Sequence, residues 1–129
     1  MDPAASAALR QAQVIDITTT GRRTGKPRRI EIVFHVIGGR WYISGMVGRR
    51  RAWLANLEAD PRFTVHLKRT VRADVRAVAR PITDEEERRS VFREIVKVWT
   101  NQDVETMVAG APLIEMTFHD VGARASDAA

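Results

Sequence analysis

Hydrophobic and polar positions alternate with a period of two along much of this chain. Residues 14–20 are rich in β-branched side chains, which favour a pleated surface, and they run into Gly21. Gly, Thr-Gly and Lys-Pro punctuate 21–27 as a turn. Over 29–36, Ile30, Ile32 and Phe34 fall on one side and Arg29, Glu31, Val33 and His35 on the other, as in a half-buried strand. The two segments therefore predict a hairpin with a long basic loop. Gly38-Gly39 marks a second tight turn, leading into a short strand over 40–44. Strand alternation returns at Phe63, Val65 and Leu67, and again over 71–81, with Lys68-Arg69-Thr70 as the turn between.

Three segments break this rhythm. Over 52–59, Trp53, Leu54 and Leu57 recur at helical spacing, and Asp60-Pro61 ends the run, because a residue before proline resists the α region. Thr83-Asp84-Glu85-Glu86 reads as a helix start. Thr83 is the expected N-cap, Glu86 the third helical residue, and Val91, Phe92, Ile95, Val98 and Trp99 the apolar face. Residues 101–109 form a second short helix or turn, and 113–118 a last strand. Six strands joined mostly by short turns imply antiparallel pairing, and in this length a small closed or split barrel. The expected class is α+β, mainly antiparallel β, with short helices packed on the barrel. One domain spans 14–120, between a flexible or helical arm (1–13) and a flexible tail (121–129).

Composition narrows the function. With 129 residues, 44% of them hydrophobic, the chain can bury a core. The absence of Cys excludes disulfides, thiolate metal sites and a cysteine nucleophile. The three His are scattered outside any ligand-pair spacing, and each reads as a half-exposed strand residue, so no metal is expected. The start lacks the apolar core of a secretory signal, and no run spans a bilayer, so the expected location is cytoplasmic. The net charge of +5, carried mostly by Arg, points to an anionic partner.

Much of that charge sits in two loops. Arg22, Arg23, Lys26, Arg28 and Arg29 crowd one hairpin tip around Gly21 and Gly25, where a backbone without Cβ can approach an anion. Arg49, Arg50 and Arg51 precede the helix of Trp53 and Asn56, whose free N-terminal amides add positive potential; Ser44 and Gly45 lie at its floor. The first loop also reads as a solvated basic hairpin tip, and Trp53 and Leu57 also read as plain core contacts. Aromatic residues are 6% of the chain and are not interleaved with the charge, which argues against nucleic acid and for a compact anionic ligand. No Ser/His/Asp order or carboxylate pair marks a catalytic residue, so the chemistry is expected from a bound cofactor.

The block Thr18-Thr19-Thr20-Gly21-Arg22-Arg23-Thr24-Gly25-Lys26-Pro27-Arg28-Arg29 is followed by Arg40-Trp41-Tyr42-Ile43-Ser44-Gly45 and by Trp53-Leu54-Ala55-Asn56-Leu57-Glu58-Ala59-Asp60-Pro61. In this order the blocks resemble the deazaflavin-dependent nitroreductase family, split β-barrel oxidoreductases related to the FMN-binding barrels. The resemblance implies coenzyme F-420 as cofactor, with FMN as the alternative, and hydride transfer from the reduced deazaflavin to a small organic acceptor. It implies that Arg22, Arg23 and Arg28, with Thr24 in the same loop, hold the phosphate and the glutamyl tail. Ser44, Gly45 and the 46–51 loop with Arg50 would follow the ring and ribityl chain, and Trp53 and Asn56 would complete the pocket. A homodimer is also implied. Glu31 and Leu54 stand where members often carry Pro and Tyr. The only tyrosine is Tyr42, so the C-terminal tyrosines that shape a nitro-acceptor site have no counterpart and the acceptor stays open. The competing readings are a non-catalytic carrier of a flavin-type cofactor or anionic lipid and, below it, a nucleic-acid-binding barrel.

Overall fold

The period-two pattern is realised as strand pairing in a computed structural model that describes residues 2–48 and 51–118. β1 (Gln13–Thr20) runs antiparallel to β2 (Pro27–Ile37), with Ile15 opposite Ile32 and Ile17 opposite Ile30, so both strands aim one apolar row at the same side. Gly38 and Gly39 both have positive φ (57° and 75°), as a two-residue hairpin requires, and return the chain into β3 (Arg40–Ser44). β4 (Arg62–Lys68) pairs with the free edge of β1, β5 (Arg72–Pro81) pairs with β4, and β6 (Leu113–Phe118) joins β5 to β3. The order β1-β2-β3-β6-β5-β4 returns to β1, which closes a six-stranded antiparallel barrel and leaves no edge exposed.

Two apolar cores follow from the two faces of the sheet. Inside the barrel, Ile15, Ile17, Phe34, Trp41, Ile43, Val65, Ile114 and Met116 are fully buried. The short helix α1 (Pro3–Ala8) adds Ala5 to this core, Leu9 follows it in, and the Trp41 indole Nε1 donates to Leu9 O at 2.7 Å. Outside the barrel, α3 (Glu85–Ile95) and α4 (Val104–Gly110) cover Tyr42 and Leu113 with Phe92, Ile95 and Met107. Arg88 ties these helices together by donating to the carbonyls of Ile82, Met107, Val108 and Ala111 at 2.6–3.2 Å. Burial pulls the Arg88 pKa down, and these acceptors take the place of water. The remaining helix, α2 (Ala52–Ala59), lies at the β1–β2 loop and buries Trp53, Asn56 and Leu57.

The structure differs from the sequence pattern at three places. The N-cap of α3 is Asp84, one residue after Thr83; its carboxylate accepts from Glu87 N at 2.8 Å. The helix therefore begins at Glu85, and Glu87, at the position that would close a capping box, turns to Arg80 (3.1 Å). α3 also ends at Ile95, before Val98 and Trp99, and Val98 is 68% exposed. Trp99 instead folds back edge-on against His35, with ring centroids 4.9 Å apart.

The third difference concerns histidine. His35 and His66 are buried on the outer faces of their strands, covered by Trp99 and by neighbouring side chains. His119 lies outside the described residues. Nε2 of His35 is buried without a hydrogen-bond partner, and burial lowers the His35 pKa below the usual histidine value. Protonation thus favours the unfolded chain, in which the ring titrates normally. The contribution of neutral His35 is complete above about pH 6.5 and is lost as the pH falls through that value toward the folded pKa. The expected outcome is a melting temperature that drops between pH 7 and pH 5, and His35→Phe should flatten that part of the profile in calorimetry.

Candidate cofactor cleft

The site is built by the loop between β1 and β2 and by the N-terminal turn of α2. Inside the loop, Gly21 N donates to Lys26 O and Gly25 N to Gly21 O, both at 2.8 Å, and Lys26 N donates to Thr24 Oγ1 at 3.2 Å. A Cβ on Gly21 would stand 3.0 Å from Lys26 O and 3.1 Å from Thr24 Oγ1, and Gly25 has φ +72°. Two glycines therefore allow a turn this tight. Asn56 fastens it to α2. Its buried carboxamide accepts from Arg22 N at 3.1 Å and donates from Nδ2 to Thr19 Oγ1 at 3.1 Å.

Between this loop and α2 opens a cleft of about 570 Å³. Arg22, Arg23, Thr24, Arg28, Trp53 and Asn56 all line it, together with Thr19, Gly21 and Ala52. Six of the nine residues expected from the sequence are thus brought to one place. Ser44 and Gly45 are not among the lining residues. The Ser44 hydroxyl is buried and donates to Pro112 O at 2.6 Å, and Gly45 is covered by the Arg51 guanidinium, 2.7 Å from where its Cβ would be. Arg51 in turn donates to Met46 O at 2.7 Å. Arg50 and Arg49 lie outside the described residues. Thr19 carries the loop clasp without any sequence signal, because its role depends on the strand register that puts it beside Asn56.

Charge is distributed unevenly around the cleft. Three acids on the flanking elements are already held: Asp16 by Arg29 (3.0 Å) and Lys68 (2.7 Å), Glu31 by Lys68, and Asp60 by Arg62 (3.1 Å). The Lys68 ammonium, with Arg29, holds the Asp16 carboxyl below the ordinary carboxylate range. Among the described residues, Arg22, Arg23 and Arg28 form no ion pair, and the backbone amides of Arg23 and Thr24 have no hydrogen-bond partner. Arg22, whose Nη1 also donates to Asn56 Oδ1 at 3.4 Å, Arg23, Arg28 and the N-terminal turn of α2 thus line one concavity, a donor set suited to phosphate and carboxylate oxygens. This donor set fits the phosphate and glutamyl carboxylates of a deazaflavin cofactor. No group of His, Asp and Glu among the described residues could hold a metal ion.

A closed antiparallel barrel carrying a cation-lined cleft is the split-barrel architecture. The model of the F420H(2)-dependent quinone reductase family matches residues 3–115, and the chain belongs to this family of F-420-dependent reductases. Solved structures share the fold. An F420-H2 dependent reductase is 22% identical (TM-score 0.56; 80% of this chain, 92% of the other). A conserved hypothetical protein from Mycobacterium tuberculosis is 16% identical (TM-score 0.68; 92% and 81%). The haem storage protein HutZ from Vibrio cholerae is 13% identical (TM-score 0.66; 92% and 90%). No helix among the described residues is long and apolar enough to cross a membrane.

Proposed function

We propose that the protein transfers a hydride from reduced coenzyme F-420 to a small quinone-type acceptor, with the phosphate and glutamyl tail of the cofactor held in the Arg22–Arg23–Arg28 cleft. The observation that carries this reading is the set of three guanidiniums without ion-pair partners around one concavity. When bound, the deazaflavin supplies the hydride. The protein's own part is to bind and to orient. Arg22, Arg23 and Arg28 neutralise the phosphate and carboxylates, and Asn56 keeps the loop at a fixed distance from α2. Trp53, buried in the helix that walls the cleft, provides an apolar side against which a ribityl chain can lie. Holding donor and acceptor at a fixed approach supplies most of what such a transfer asks of a protein.

Titration with oxidised coenzyme F-420, followed by fluorescence, should show saturable binding at micromolar concentration. With reduced cofactor and a soluble quinone, the return of deazaflavin absorbance should accelerate over the rate without protein. Binding without turnover across a panel of quinones would support the carrier reading, and absence of binding would refute the F-420 reading.

A further inference from the structure

The outer face of the barrel carries a second constellation that the cofactor cleft does not use. Strand register sets two adjacent rows across β1, β4 and β5. Asp16 stands opposite His66 and His66 opposite Asp74; Thr18 stands opposite Thr64 and Thr64 opposite Arg76. The imidazole of His66 lies across both rows. Its Nδ1 is 2.7 Å from Asp74 Oδ1 and its Nε2 is 2.6 Å from Thr18 Oγ1. The His66 side chain is 11% exposed, whereas the Asp74 carboxylate that holds it stands 74% exposed at the surface.

Hydrogen-bond chemistry assigns the proton. Asp74 offers a carboxylate, which accepts, so in neutral His66 the Nδ1–H donates to it. Nε2 then carries the lone pair, and the Thr18 hydroxyl must be the donor to it. A hydroxyl hydrogen-bonded to an imidazole that a carboxylate orients from behind is the arrangement of an activated oxygen nucleophile. Thr18 also borders open space. With Thr20, Thr64, Arg62 and Arg76, it lines a cleft of about 440 Å³ on the far side of the β1–β2 loop. Arg62 is engaged by Asp60, whereas Arg76 forms no ion pair among the described residues, and neither does the Thr64 hydroxyl have a partner there.

The geometry points to a hydrolytic site at Thr18 that cleaves small acyl esters bearing a negative charge, in a cleft that meets the cofactor cleft at Thr19 and Pro27. Thr18 Oγ attacks the ester carbonyl carbon while its proton passes to His66 Nε2. The Thr64 hydroxyl donates to the developing oxyanion, and Arg76 pairs with the negative group of the acyl chain. The carbonyl–oxygen bond to the alcohol then breaks, and His66 returns the proton to the departing oxygen. A water molecule, deprotonated by His66, hydrolyses the acyl-threonine and restores the hydroxyl. Asp74 is a positioning residue that holds the tautomer.

The test is release of 4-nitrophenolate from mono-4-nitrophenyl succinate, with 4-nitrophenyl acetate as the uncharged control. Hydrolysis above the buffer rate is expected, together with fluorophosphonate labelling that maps to the peptide containing Thr18. Thr18→Val and His66→Gln should each lower kcat/KM by about 10²–10⁴-fold, and Asp74→Asn should lower kcat with KM unchanged. Arg76→Gln should raise KM for the succinate ester and leave the acetate unaffected. Thr18→Ser keeps the hydroxyl and should keep activity, which covers the case in which Thr18→Val does not fold. Hydrolysis no faster than buffer, full activity in folded Thr18→Val, or labelling confined to other residues would each overturn the proposal. Coenzyme F-420 titration of the same preparations reads the other cleft, so the two outcomes stay separable.

Discussion

Arg23→Ala combined with Arg28→Ala is expected to weaken coenzyme F-420 binding by about 30–1,000-fold and to leave the melting temperature nearly unchanged. The asymmetry follows from where the charges stand. Both side chains are exposed and, among the described residues, without an ion pair, so the folded protein alone gains little from them. A bound phosphate or carboxylate would change this, because each charge-assisted hydrogen bond contributes about 1–3 kcal/mol. Two such losses do not add fully when the residues share one anion, and about 2–4 kcal/mol corresponds to the stated range. Salt provides an internal control. Exposed charges are screened beyond about 10 Å at 0.1 M salt, so wild-type affinity should fall with ionic strength and the double variant should respond less. Unchanged affinity in the double variant would mean that the anionic end of the cofactor is held elsewhere.

The same residues show how far the sequence can be read. Alternation at Ile30, Ile32 and Phe34 or at Phe63, Val65 and Leu67 is a local property, and these residues do sit on one face of their strands. The basic tip was legible for a related reason: Gly21, Gly25 and the arginines are neighbours in the chain, so their convergence needs no long-range pairing. Only the family resemblance places Trp53 and Asn56 beside that tip. The link itself, Asn56 to Thr19 and to Arg22 N, spans 34 to 37 positions. His66 marks the limit. From alternation it is a half-exposed strand residue, yet β4 lies between β1 and β5, and that neighbourhood sets Thr18 and Asp74 on either side of it. Ser44 marks a second limit. It stands at the end of β3 as expected, but its hydroxyl is turned to Pro112 O beneath the helical layer, which residue spacing does not report.

Asn56→Leu should destabilise the fold and weaken the cofactor cleft together. Asn56 is 2% exposed; its Oδ1 accepts from Arg22 N and from Arg22 Nη1 (3.4 Å), and its Nδ2 donates to the Thr19 hydroxyl, itself 2% exposed. Leucine matches its size but bonds to neither, so a buried hydroxyl and a loop amide lose their partner, at about 1–3 kcal/mol for each group that stays dry. The loop amide can turn to water, whereas the hydroxyl cannot without opening the barrel wall. The expected loss is therefore about 2–3 kcal/mol, or a melting temperature lower by roughly 6–15 °C for a domain of this size. Binding suffers by a different route. Freed from α2, the 21–26 loop no longer holds Arg22 and Arg23 at one distance from the helix and from Arg28 on β2, and each binding event must first order it. Coenzyme F-420 affinity should fall at least tenfold at a temperature where the variant is still fully folded. Asn56→Asp separates the two effects. A carboxylate keeps the bond from Arg22 N and places a negative charge beside the cleft, so it should preserve more stability than leucine while weakening anion binding further. An Asn56→Asp variant with wild-type affinity would show that the cofactor's negative groups do not lie near this cleft.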